Sequence, residues 1–211
     1  SFPTRRSSDL EPDAAGITPP SGWTMNGDFI INSDAIFNAG SYSYTVAGDI
    51  ESNGILNGET STFTMSSATR QLTGSPHTEF NHLTITGVVS TNSDFYVGGN
   101  FTNNGTYDGT FGTLIMNGSN AGSIGGTTVP STISQLTIAK TGGAAVTLSA
   151  SIFEVFSLFI TSGTLFTSTN AITQDAGGGL LMISDGATLK LGGSRSEEHT
   201  SELQSQKRIS Y

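Results

Sequence analysis

The sequence predicts an all-β fold, a right-handed parallel β-helix running from about residue 24 to 194 of the 211-residue chain. Three observations carry that prediction. First, "YTVAGDIESNGILNGETSTFTM" (44–65) repeats as "FYVGGNFTNNGTYDGTFGTLIM" (95–116). Val46 meets Val97, Gly48 meets Gly99, Ile50 meets Phe101, Asn53-Gly54 meets Asn104-Gly105, Gly58 meets Gly109, Thr62 meets Thr113 and Met65 meets Met116, each pair 51 positions apart. Second, that period contains a shorter one slightly above 20 residues, a length suited to one coil of a solenoid. Third, the apolar runs are brief and alternating, and no stretch has a helical period.

Residues 11–23 read as a linker. Beyond it, Gly27-Asp28-Phe29 recurs as Gly48-Asp49-Ile50, 21 positions on, and "HLTIT" (82–86) returns as "QLTIA" (135–139). A third, weaker copy starts at "VFSLFITSGTL" (155–165), where Val155, Phe159, Gly163 and Thr164 repeat Val97, Phe101, Gly105 and Thr106. Gly163-Thr164-Leu165 then recurs as Gly186-Ala187-Thr188-Leu189. The runs "LTIT", "LIM", "LTIA", "VTL", "LLMI" and "TLKL" are rich in strand-favouring residues and bounded by glycine corners, so they read as strands. Stacked coils bring equivalent side chains above one another. Phe29, Ile50, Val97, Phe101, Ile138, Val155 and Phe159 are therefore expected to point inward. The competing architecture is an antiparallel β-sandwich, with Asn53-Gly54 and Asn104-Gly105 as two-residue hairpin turns.

The ends have another texture. Back-translated, Ser1–Leu10 ("SFPTRRSSDL") resembles a common short-read sequencing adapter. Arg195–Ser205 ("RSEEHTSELQS") resembles its partner, and Ile209-Ser210-Tyr211 resembles the continuation beyond a short index. Residues 1–10 and 195–211 are expected to be adapter-derived tails, and 11–194 a fragment of metagenomic type lacking both natural ends. Ser196 with Glu198 and Glu202 would also serve as a helix start, but such a segment has no apolar stripe to dock. Deleting both tails is expected to leave the melting temperature unchanged.

Charge narrows the function. The whole chain has a formal net charge of −9. Residues 11–194 hold thirteen acidic residues against Arg70, Lys140 and Lys190. That leaves no basic footprint for nucleic acid. With no cysteine there is no disulfide framework, thiolate metal site or cysteine nucleophile. No apolar run is long enough to span a bilayer as a helix, so membrane insertion of this segment is not expected.

Candidate chemistry is sparse. "HTEFNH" brings His77, Glu79 and His82 close in sequence, as a zinc site would need, but the spacing of five places the two histidines on opposite faces of a strand. Asp28, Asp49 and Asp108, with Glu51, Glu59 and Glu79, offer carboxylates that a glycosidase needs in pairs. Yet Asp49 becomes Asn100, Glu51 becomes Thr102 and Glu59 becomes Thr110 in the next repeat, and a polysaccharide lyase would want more basic partners than three. The glycines at 177–179 precede a strand-like run, the wrong context for a phosphate loop. Asn104-Gly105-Thr106 matches a glycosylation sequon and reads as turn chemistry. No catalytic, cofactor-binding or metal-ligating residue is assigned, and structural calcium is a weak possibility without an Asp-rich loop.

"VGGNFTNNGTYDGTFGTLIMNGS", "QLTIAKTGGAAVTLSAS" and "SGTLFTSTNAIT" resemble β-strand repeat segments of large secreted bacterial surface proteins that use type IX secretion. The resemblance covers most of 24–193 and implies an extracellular, adhesin-like role with no catalytic residues. Its implied partners are extracellular glycans, surface proteins and flanking repeats of the same parent chain. The expected function is a non-catalytic structural or adhesive segment; the alternative is a polysaccharide-active β-helix enzyme or glycan-binding module. A groove lined by two close carboxylates and a basic residue would favour the enzyme.

Overall fold

The computed structural model describes residues 16–192, apart from 75–76, 129–132, 151 and 175–176; both adapter-like tails lie outside the described residues. The described residues form a parallel β-solenoid of about seven turns, with strands and no helix. Strand pairing is parallel throughout. The antiparallel sandwich is thereby excluded.

Each coil of the first half visits three walls in turn. The first wall stacks nine strands: Thr24–Met25, Ser43–Val46, Thr62–Met65, His82–Ile85, Asn100–Asn103, Gly122–Gly125, Ala145–Leu148, Thr164–Phe166 and Thr188–Lys190. The second wall stacks Phe29–Ile31, Ile50–Ser52, Arg70–Gly74 and Val88–Thr91 onto the start of Thr106–Met116. The third stacks Ile36–Asn38, Ile55–Asn57, Thr78–Phe80 and Phe95–Val97 onto the end of that same long strand. From there Ile133–Ala139, Ile152–Ser162 and Leu181–Ile183 continue the stack, and the second and third walls merge into one bent sheet.

Alternation along each strand sends every second side chain inward. On the first wall the inward column is Tyr44, Phe63, Leu83, Phe101, Ile124 and Leu148, each fully buried. The outward column beside it reads Thr24, Thr45, Thr64, Thr84 and Thr102. Ile17 forms a parallel bridge to Phe37, and Trp23 meets Phe37 and Tyr44 edge-on, so residues read as a linker pack on the first coil.

Six of the seven expected inward residues are buried: Phe29, Ile50, Val97, Phe101, Ile138 and Val155. Phe159 is not. It pairs with Thr137 and Met182 in the outward column of the third wall, while Leu158 and Ile160 beside it face in. The third copy is out of phase with the coils, because Phe101 belongs to the first wall, where its next-coil neighbour is Ile124, whereas Phe159 belongs to the third.

The 51-residue offset is not a whole number of coils. Val46 lies on the first wall and Val97 on the third; Ile50 lies on the second and Phe101 on the first. The offset advances the chain by eight strands, so it matches one wall with another. The true rung is the shorter echo: Phe29 pairs with Ile50, and Thr164-Leu165 with Thr188-Leu189. Along the first wall, Thr84 to Thr102 takes 18 residues and Ser123 to Thr147 takes 24.

Asn53-Gly54 and Asn104-Gly105 turn corners between walls. A primed hairpin turn needs positive φ, and neither residue of either pair has it. Glycine is required there for close approach instead. A Cβ on Gly54 would sit 2.3 Å from the Ala35 carbonyl oxygen, and one on Gly105 would sit 2.0 Å from that of Gly87.

Candidate functional site

The outward polar residues are organised by a recurring corner device. Where a strand begins, the side chain of an Asp, Asn or His accepts the backbone N–H of the residue above it in the next coil. Asp28 Oδ1 accepts from Asp49 N at 2.9 Å, and Asp49 Oδ1 from Gln71 N at 2.9 Å. Asp94 Oδ1 accepts from Thr113 N at 2.8 Å, Asn100 Oδ1 from Ser123 N at 3.0 Å, and Asn104 Oδ1 from Thr127 N at 3.0 Å. His82 Nδ1 accepts from Asn100 N at 3.0 Å. These N–H groups lie at or near the corners, and the bonds satisfy donors that the parallel ladder leaves over.

The device explains the exchange of Asp49 for Asn100 between repeats: both present an Oδ1 to the coil above, and charge is not needed. It also explains Asn104 of the sequon, which accepts the Thr127 hydroxyl as well, at 3.2 Å. The sequence carries a signal for this, a small residue, then Asp or Asn, then a buried apolar residue. It occurs at Gly27-Asp28-Phe29, Gly48-Asp49-Ile50, Ser93-Asp94-Phe95 and Gly99-Asn100-Phe101. Asp94 and Asn100 were missed as acceptors because the motif moves from wall to wall.

His77, Glu79 and His82 do not converge. Glu79 faces out on the third wall and accepts from Asn117 Nδ2 at 3.0 Å, whereas His82 begins the first wall, beyond a corner. The histidines are thus divided by a corner rather than by the two faces of one strand. Among the described residues no three His, Cys, Asp or Glu side chains form a group able to hold a metal. Glu51 accepts from Asn53 Nδ2 at 2.6 Å. The strand Leu181–Ile183 follows Gly177–Gly179 after the single residue Leu180.

The three basic residues have separate settings. Lys140 is fully buried where the third wall turns into the first, and its Nζ donates to the Gly98 carbonyl at 2.5 Å. Burial pushes its ammonium pKa down, and Glu79 partly opposes that. Lys190 Nζ sits 5.0 Å over the Phe166 ring, one coil below it on the first wall. Arg70 opens onto a surface depression.

That depression is a groove of about 620 Å³ on the second wall, lined among others by Asp49, Arg70, Gln71, Ser90, Asp108 and Thr110. It crosses four coils. Arg70 pairs in register with Val89, and Val89 with Tyr107, so the arginine stands in a column whose other members are fully buried. Arg70 itself is half-buried, and its Nε is enclosed without a hydrogen-bond partner. Thr69, just before it, is left-handed at φ 56°. Asp49 and Asp108 share the outward row Asp49, Gln71, Ser90, Asp108. Three rung steps separate them by about 14 Å, beyond the roughly 5–10 Å of a glycosidase pair. Asp108 Oδ1 is also engaged within its own turn, accepting from Thr110 N at 3.1 Å and from the Thr110 hydroxyl. Asp28, one rung from Asp49, does not line the groove and is held by its own corner bond. No family model, curated protein sequence or solved structure matches the chain.

Proposed function

We propose that this chain is a non-catalytic structural or adhesive repeat segment of a large extracellular bacterial surface protein. The observation that carries this reading is the corner device: Asp28, Asp49, Asp94, Asn100 and Asn104 each spend a side-chain oxygen joining one coil to the next. A catalytic carboxylate needs a free oxygen beside a second carboxyl at a matched distance, and the two acids of the second-wall groove stand three rungs apart. Flanking repeats of the same parent chain are the natural neighbours of the last coil, where Leu180, Leu181, Met182, Ile183 and Leu191 are exposed. The sequence resemblance to type IX-secreted repeat proteins supports the cell-surface setting.

The test is an assay of the full chain against acidic and neutral polysaccharides, counting new reducing ends and unsaturated products. No turnover is expected. Turnover that disappears in Asp108→Asn would replace this reading with a polysaccharide-active enzyme.

A further inference from the structure

We propose that the groove on the second wall binds a neutral glycan chain laid along the solenoid axis, with Arg70 as its central hydrogen-bond donor; this rests on the non-catalytic adhesive reading above. The groove volume of about 620 Å³ lies within the roughly 300–1,000 Å³ of small-molecule sites. Arg70 brings an enclosed Nε with no acceptor, and a buried donor left unmade is costly. An oxygen bound in the groove gives the guanidinium an acceptor to turn toward. Thr69 adds an independent sign. A β-branched residue at φ 56° is strained, and such strain clusters at ligand-binding sites.

The outward row supplies the rest. Asp49, Gln71, Ser90 and Asp108 present one polar side chain per coil. The coils rise in steps of about 4.8 Å, close to the length of one pyranose ring, so successive sugar units meet successive rungs. Asp49 and Asp108 each keep a carboxylate oxygen, Oδ2, to accept sugar hydroxyls, and Val88, 42% exposed, offers an apolar patch to a ring's C–H face. Charge selects a neutral chain. Two carboxylates flank one guanidinium, in a protein of net charge −9, and that field repels a polyanion.

The experiment titrates the ¹⁵N-labelled full chain with cellotetraose, laminaritetraose and mannotetraose, and separately with tetragalacturonate, following the Arg70 Nε–H and the Gln71 and Ser90 amides. Expected are saturable shifts at these groups with at least one neutral tetrasaccharide, and at least tenfold weaker binding in Arg70→Met. Asp108→Asn, an exposed change that leaves the core untouched, is expected to weaken it severalfold. Absence of saturable shifts with all three neutral probes at millimolar concentration overturns the proposal, as do shifts confined to another wall. Tighter binding of tetragalacturonate overturns the neutral class. Reducing ends are counted after each titration: intact, unbound probes sink this inference alone, whereas new ends sink the adhesive reading beneath it.

Discussion

The two halves of the solenoid fill the same cross-section by different means. From Trp23 to Tyr107 the core is a continuous aromatic chain. Phe29, Phe37, Tyr44, Phe63, Phe80, Phe95, Phe101 and Tyr107 touch in succession, with ring centroids 4.6 to 6.4 Å apart. Among the residues from Ile124 to Leu165 whose burial is described, the buried apolar ones are aliphatic: Ile133, Leu136, Ile138, Val146, Leu148, Val155, Leu158 and Ile160 lie between the two. The aromatic half keeps three distinct walls. The aliphatic half has two merged walls and register shifts at Ile138/Ala139 and Ile152/Glu154. Large rings reach the axis from short walls and interlock edge to face. Branched aliphatics fill less, and the chain there accommodates them with bulges. A solenoid's stability is close to a sum over coils and their interfaces, so the halves can be probed separately.

The largest expected effect comes from the centre of the aromatic chain. Phe63 is fully buried, stacked on Tyr44 at 4.6 Å and edge-on to Phe80 at 5.2 Å. Phe63→Ala is expected to cost about 3–5 kcal/mol in urea unfolding. Leu136→Ala, equally buried on the third wall of the other half, is expected to cost about 2–4 kcal/mol, because its aliphatic neighbours collapse more readily into the space. A larger loss for Leu136→Ala would break the contrast.

Alkaline pH separates the halves by sign. Burial first, then Tyr42 and Glu59, pushes the Tyr44 hydroxyl up to about 12, and that hydroxyl donates to the Ala39 carbonyl at 2.7 Å. A raised folded pKa gives stability that is present below the unfolded value of 10.0 and lost as pH climbs to about 12. Tyr107, pushed up by its burial, acts with the same sign. Lys140, in the aliphatic half, acts oppositely: its folded pKa is lowered by burial, so its contribution grows as pH rises from that value toward 10.5. Tyr44→Phe is expected to cost about 1 kcal/mol at neutral pH and to flatten the loss between pH 10 and 12, measured by urea unfolding at each pH. An unchanged alkaline slope would remove Tyr44 as its source.

The corner device predicts a smaller, chemically selective effect. Asp49→Asn keeps the Oδ1 that accepts from Gln71 N and is expected to be nearly neutral. Asp49→Ala removes it and is expected to cost about 1 kcal/mol. Equal costs for the two would mean that charge, not the acceptor, matters at the corner.

These corners also mark how far the sequence could be read. The fold was legible because stacked coils must repeat their inward residues, and Gly27-Asp28-Phe29 against Gly48-Asp49-Ile50 gave a true rung. The stronger 51-residue match misled about phase, since each wall makes the same demands of an alternating strand and one wall resembles the next. Phe159 fell on the wrong face for that reason. The groove was less legible. Asp49, Arg70 and Asp108 were in view as residues, but their meeting depends on coils of unequal length, and nothing in composition shows that Arg70 stands in line with Val89 and Tyr107. The burial of Lys140 was not legible at all, because its contact with the Gly98 carbonyl is a tertiary fact.

The smallest expected effect lies at the far end of the aliphatic half. Met116, Ile138, Ile160 and Ile183 form one column, yet Ile160 is fully buried and Ile183 is 45% exposed. Same position, same residue type and same inward direction leave axial cover by the next coil as the main difference. A residue already half in water has less transfer free energy to lose, and its removal leaves an open notch rather than a cavity. Ile183→Ala is therefore expected to cost less than about 1 kcal/mol, against about 2–4 kcal/mol for Ile160→Ala. Hydrogen exchange of the Leu181–Ile183 amides should be fast in the unmutated chain and little changed by Ile183→Ala, since weakly covered edges open locally at small free energy. Equal costs at 160 and 183 would mean that the last coil is covered in solution, and that the open end of the aliphatic half is closed by further protein.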